Sequence, residues 1–210
     1  MSANYSGTAP YTTTPEERIG PGAPYSDASL QANLIARVVL GILSLVFNFV
    51  PTKLLWWNGE FAATVFCLIN TLINLYYVVN ALIWSDDNVE TWWAGHGWCD
   101  LQAYTTFALR TAWHICLFEM MRSLARKVSL VRVGAKTDAE RRRHYIVTSF
   151  VVFTLPLLQV ALSYFLMLRR YDVSTLAGCN AVYDPNWIFL ILFVLPTPLF
   201  VIGAAYMAGQ

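Results

Sequence analysis

The sequence predicts an all-α fold, a polytopic transmembrane helix bundle, on three observations. Five apolar runs each approach or exceed the roughly twenty residues that a helix rising 1.5 Å per residue needs to cross a bilayer. The composition is 57% apolar, with mean hydropathy +0.47 and only 13% charged residues, which a water-soluble chain of this length rarely reaches. The runs are apolar on every face and do not alternate. That excludes a surface helix with one wet side, and equally the alternating ten-residue strands of a membrane β-barrel.

The elements follow in order. Residues 1–30 are polar, rich in Ser, Thr, Pro, Gly and Tyr, and lack the apolar core of a signal peptide, so they read as a disordered extracellular tail. Asn4-Tyr5-Ser6 is a glycosylation sequon, usable only if the tail faces the lumen or the outside. Residues 31–210 form the transmembrane domain. Its spans are Ala32–Pro51, Phe61–Trp84, Cys99–Leu124, Tyr145–Leu168 and Trp187–Met207. The fourth carries Thr148, Ser149 and Thr154 among Val, Phe and Leu, as a packed membrane helix can. Pro156 interrupts it, and Pro196 and Pro198 interrupt the fifth; each removes a backbone donor and bends its helix.

Orientation comes from Lys and Arg in the short loops. Arg122, Arg126, Lys127, Arg132, Lys136, Arg141, Arg142 and Arg143 fall in the segment Arg122–Arg143, from the end of span three to the start of span four, and are eight of the fourteen basic residues. Less Asp138 and Glu140, the segment carries a net +6. It belongs in the cytosol, where Arg126, Lys127 and Arg141–Arg143 would meet anionic lipid or an acidic protein partner. Ser85–Trp98 has no Lys or Arg but holds Asp86, Asp87 and Glu90, so it belongs outside. Parity then puts the N-terminus outside, in a multi-pass topology. Trp84, Trp92, Trp93 and Trp98 gather at the outer interface, and Trp56 and Trp57 at the inner one, where indole rings anchor in the headgroup zone.

Cys67 and Cys116 fall inside spans and read as small core residues. Cys99 and Cys179 share the outer side, where two arrangements are open: a disulfide in an oxidising compartment, or two free thiols at the interface. No CxxC pair or HExxH motif appears, and the three histidines sit at different depths, so no metal or cofactor is expected.

Arg110 is the sharpest single residue. It lies eleven residues past Cys99, about 16 Å down span three and near mid-membrane. A cation there costs several kcal/mol unless it is paired or hydrated, so it is expected to face the bundle interior. Cys99, Ala103, Thr106, Arg110, Trp113, His114 and Leu117 share its face by three- and four-residue spacing. That face would line a central cavity, with Thr106, Arg110, Trp113 and His114 as ligand contacts; the other reading gives Arg110 to oxygens of a neighbouring helix. Asn70 and Asn74 stack on one stripe and read as interhelical glue, while Asn80 points elsewhere. Arg122 can reach Glu119 at the inner end, as a gate or as an interfacial ion pair.

These motifs resemble a family. Pro51 with an aromatic pair beyond it, Asn74-Leu75, and Asn80-Ala81-Leu82-Ile83-Trp84 closing span two resemble fungal mating-pheromone receptors of the a-factor type. So do Gly97-Trp98-Cys99-Asp100 entering span three, Arg170-Tyr171-Asp172 followed by Gly178-Cys179, and Pro196-Thr197-Pro198. The resemblance runs from about Leu34 to Met207. It implies a class D heptahelical receptor for a prenylated peptide pheromone, acting through a heterotrimeric G protein. It also implies a Cys99–Cys179 disulfide, with Asp100, Arg170, Tyr171 and Asp172 at the pheromone mouth. Five of the expected seven spans are present, so the chain reads as a receptor truncated after the fifth helix.

Two other functions compete. A small-solute transporter or channel would use the polar stripe of span three, but the sequence has no inverted repeat. A non-signalling truncated receptor would associate with the full-length form. An enzyme is not expected, because no Ser, His and carboxylate set shares a depth. No nucleic-acid partner is expected either.

Overall fold

The structure, a computed structural model, describes residues 28–86, 88, 92–128 and 138–209, without the side chains of Asp138, Arg141 and Arg170. The expected tail as far as residue 27, its sequon, and Arg132 and Lys136 of the basic loop lie outside the described residues.

Helix α1 (Ala28–Trp57) and helix α2 (Phe61–Ile83) form an antiparallel hairpin. The turn between them is short because Gly59 takes φ +71°, a left-handed conformation that L side chains resist. Its carbonyl accepts a 2.6 Å bond from the Tyr145 hydroxyl. α1 runs past the expected boundary at Pro51, and the Thr52 hydroxyl bonds the Asn48 carbonyl at 2.6 Å. Asn48 joins the two helices, donating to the Cys67 carbonyl and the Thr71 hydroxyl, each at 2.9 Å. The expected glue is placed differently: Asn74 bonds back to the Asn70 carbonyl within its own helix. A helical wheel shows which amides share a stripe, but not whether another helix lies against it.

Helix α3 (Trp98–Val128) is the central rod, packed against α2, helix α4 (Asp138–Leu166) and the last helix. Among the described residues, four segments are long and apolar enough to cross a membrane: Ala28–Trp57, Phe61–Ile83, Arg142–Leu166 and Trp187–Ala208. α3 is longer than any of them, at 31 residues, but more polar. Protein on several sides permits this, since polar groups at membrane depth are tolerated where neighbouring chain satisfies them. Val65, Ile69, Ala112, Ile115, Cys116 and Val152 make the core between α2, α3 and α4.

Beyond α4 the chain departs from the expected plain loop. Strand β1 (Met167–Ser174) and strand β2 (Gly178–Tyr183) form an antiparallel hairpin with two irregularities in its register. The fifth span then divides into a short helix α5 (Trp187–Phe189), a π-helical stretch (Leu190–Val194) and helix α6 (Pro196–Ala208). Proline explains the division. In an α-helix the Leu192 carbonyl would accept from the residue four on, but that residue is Pro196, which has no N–H. The wider turn is visible in the Leu195 N–H, which bonds back five residues to Leu190. The Leu192 carbonyl is satisfied from another helix, by the side-chain amide of Gln159 at 2.6 Å.

Candidate functional site

The β-hairpin caps one end of the bundle, and its fixings lie in α2 and α3. Cys99, in the first turn of α3, is bridged to Cys179 in β2, with Cα atoms 5.1 Å apart. Both are buried, with Trp84, in a cluster flanked by Trp92, Trp98, Tyr171 and Val173. Trp84 is fully buried, so it is the floor of this lid and not the interfacial anchor expected. Its ring N–H reaches the Trp93 carbonyl at 3.2 Å, and its own carbonyl accepts the Leu176 N–H at 2.9 Å.

The second fixing is polar. Asn80 and Gln102 exchange paired amide hydrogen bonds of 2.9 and 2.8 Å. The Asn80 oxygen also accepts from the Trp98 indole at 3.0 Å, and its nitrogen also donates to the Ala177 carbonyl at 2.8 Å. An amide can make about four such bonds, and Asn80 makes them all while 2% exposed. The third fixing is aromatic. The Tyr183 hydroxyl donates to the Ala103 carbonyl at 3.0 Å, and its ring stacks with Phe189 and meets Phe107 edge-on. Burial among these rings raises the Tyr183 hydroxyl above its usual pKa.

Of the residues that the resemblance implies at a mouth, Asp100 lies at the lidded end of α3 and Arg170, Tyr171 and Asp172 lie in β1. Asp100 is half-buried in the first turn of α3, and Asp172 sits opposite Asn180 in the hairpin. The Tyr171 hydroxyl donates to the Ala94 carbonyl at 3.1 Å and lies 3.5 Å from His96 Nδ1. The backbone of Arg170 lies in β1, and its side chain is outside the described part.

Deeper along α3 the expected row is present, but its exposure is not as expected. Thr106 bonds back to the Gln102 carbonyl at 2.7 Å. His114 Nδ1 donates to the Arg110 carbonyl at 2.6 Å, and Trp113 packs on Phe66 with centroids 4.9 Å apart. Arg110 does not face the interior: it is exposed on the bundle surface, its guanidinium 3.2 Å from the Tyr77 hydroxyl. The reason lies in how α3 is covered. Near the lid the buried positions are Cys99, Gln102 and Ala103; farther down they are Thr111, Ala112, Ile115, Cys116 and Glu119, on the other side of the helix. The row from Cys99 to His114 is therefore roofed at its outer end and open below.

The opposite end of the bundle collects charge. Lys127 pairs with Glu60 of the α1–α2 turn at 2.5 Å, with both side chains substantially exposed. Arg122 reaches Glu119 at 2.6 Å, the pairing its spacing allowed, and Glu119 is buried. Arg126 Nε bonds the Arg122 carbonyl at 3.3 Å, and Arg142 and Arg143 are exposed at the start of α4. The Arg141 side chain is outside the described part. A cleft of about 330 Å³ opens there, lined by Glu60, Glu119, Lys127, His144 and Tyr145 among others.

Sequence reasoning missed Asn80, Gln102 and Tyr183 as parts of the site. Gln102 carried the clearest signal, an amide one turn past Cys99 on the outer end of span three.

A helical bundle with membrane-length segments, a bridged lid and a polar seam beneath it has the build of a multi-pass membrane protein. The chain belongs to the pheromone A receptor family, whose model matches residues 36–210. It is 28% identical over 165 residues to the pheromone a factor receptor of Saccharomyces cerevisiae, covering 75% of this chain and 33% of that protein. It is 24% identical over 161 residues to the pheromone B alpha 3 receptor of Schizophyllum commune, covering 74% and 24%. Similarity to the pheromone M-factor receptor of Schizosaccharomyces pombe is 28% over 141 residues, covering 67% and 37%. The chain thus spans from 24% to 37% of the length of these relatives. No solved structure matches it.

Proposed function

We propose that this chain forms the ligand-mouth and basic-end portion of a G-protein-coupled receptor for a prenylated peptide pheromone. It sits in the plasma membrane with its N-terminus and lid outside. The observation that carries this reading is the bridged hairpin roofing the same α3 face that bears Thr106, Arg110 and His114. Such an arrangement gives a peptide polar contacts at the rim, from Asp100, Tyr171 and Asp172. The prenyl chain would lie in an apolar groove between helices or against lipid, each buried CH₂ contributing about 0.8 kcal/mol. Arg126, Lys127, Arg142 and Arg143 then lie on the cytosolic side, where a G protein or anionic lipid supplies the opposite charge.

The test is binding of a fluorescent prenylated peptide to membranes carrying the chain, beside the same peptide without its lipid. Saturable binding that depends on the prenyl group supports the reading. Equal signal in membranes lacking the chain, or no loss on removing the lipid, refutes it. Accessibility labelling should find Tyr171 reagents acting from outside and Arg142 tags protected in intact cells.

One observation favours a second reading, association with further receptor helices or a full-length receptor. An arginine exposed at membrane depth, with a tyrosine hydroxyl as its one side-chain partner among the described residues, is costly against lipid. A polar partner helix over that seam would relieve the cost. Arg110→Leu is then expected to weaken co-purification with a full-length receptor while leaving insertion intact.

A further inference from the structure

We infer that Asn80 is the positioning residue of the ligand mouth, seating the lid's turn on the bundle independently of the disulfide. This rests on the receptor reading for its consequence in binding, but the seat itself rests on geometry alone. The two clamps act at different points. The disulfide holds β2 at Cys179, next to the start of α3. Asn80 holds the turn, through the Ala177 carbonyl at 2.8 Å. Leu176 adds a third point, its N–H on the Trp84 carbonyl at 2.9 Å.

Two local features indicate that the turn is shaped to fit this seat. Gly178 has φ +73°, and a Cβ there would collide with the Asn80 side chain. Leu176 has φ +58° while 3% exposed, an uncommon conformation for a non-glycine residue. Backbone strain of this kind persists only where the surroundings over-determine it. Here the surroundings are the Trp84 carbonyl on one side and the Asn80–Gln102 pair on the other. A fully satisfied buried amide pair is also directional, so it fixes the turn's position and not merely its proximity. The disulfide is a tether about a single point and leaves the turn free to tilt.

Two clamps of different chemistry give separable outcomes. With the amide pair intact, opening the disulfide leaves the turn seated and the mouth formed. With the disulfide intact, loss of Asn80 leaves the hairpin attached but its turn unseated, so a bound peptide escapes faster.

The experiment is hydrogen exchange at the Leu176 and Gly178 amides of the purified full chain, without ligand. Asn80→Leu is expected to speed exchange of the Leu176 amide by about tenfold or more. The Cys99→Ser/Cys179→Ser pair should change it by less than about threefold. If Asn80→Leu does not fold, Gly178→Ala, which removes no polar group, should speed exchange in the same way. The double exchange Asn80→Gln/Gln102→Asn keeps a facing amide pair of the same total length and should restore much of the protection, as a mere volume effect would not. The inference is overturned if Leu176 stays protected in both Asn80→Leu and Gly178→Ala, or if the serine pair frees the turn as fully as they do. A separate arm measures dissociation of the fluorescent prenylated peptide, expected to quicken in Asn80→Leu more than in the serine pair. If the wild-type chain binds no such peptide, the receptor reading fails while the exchange result still decides the seat.

Discussion

The two ends of the bundle are built from opposite materials. At the lidded end the fixings are a buried disulfide, a buried and fully satisfied amide pair and a half-buried stacked aromatic group. At the other end they are ion pairs, of which Glu60–Lys127 is substantially exposed. Buried directional bonds are costly to leave unmade, whereas exposed ion pairs are worth little and are screened by salt. The difference teaches where each end can change. The lidded end resists rearrangement, and the charged end can rearrange at small cost.

The largest expected effect lies at the lidded end. Cys99 and Cys179 close a loop with a sequence separation of 80 residues, worth about 4 kcal/mol in the chain-entropy model. Cys99→Ser, Cys179→Ser and the double variant should lose nearly the same stability in detergent unfolding; additive losses would mean the two thiols act separately. Next is Gln159→Leu, which strips the Leu192 carbonyl of its donor and should cost about 1–3 kcal/mol. Pro196→Ala restores the helix's own N–H, so it should recover part of that loss in the Gln159→Leu background. A purely additive pair of effects would break the account of the bend.

Smaller effects belong to the charged end. Arg122→Ala leaves the buried Glu119 carboxylate without its partner. Because the arginine is itself partly exposed, water takes over some of its role, and the expected loss is about 1 kcal/mol. Lys127→Ala should change stability by less than about 1 kcal/mol, and by still less at high salt. If Lys127→Ala proved as costly as the disulfide variants, the contrast between the two ends would collapse.

The long helices were legible because extended apolar runs favour helices of membrane-crossing length, and α2 begins at Phe61, the residue where its run begins. The Glu119–Arg122 pair was legible because helical spacing fixes both partners. The hairpin was not, since Arg169, Arg170 and Asp172 read as a polar loop and the pairing with β2 depends on contacts across a turn. Arg110 shows the limit of a helical wheel. Its face was correctly grouped with Cys99 and His114, but which neighbour covers that face changes along α3. Trp84 failed for a related reason: a tryptophan at a span end suits an interface, until a second layer of chain is laid over it.

A proline in a helix ordinarily leaves a slack joint, with one carbonyl unclaimed. In the fifth span that carbonyl is claimed by Gln159 of a different helix. The joint is therefore a shared bearing: the lower part of the span cannot swivel about Pro196 without dragging the fourth helix or letting go of it. Any movement the chain makes through that bend is recorded in its neighbour.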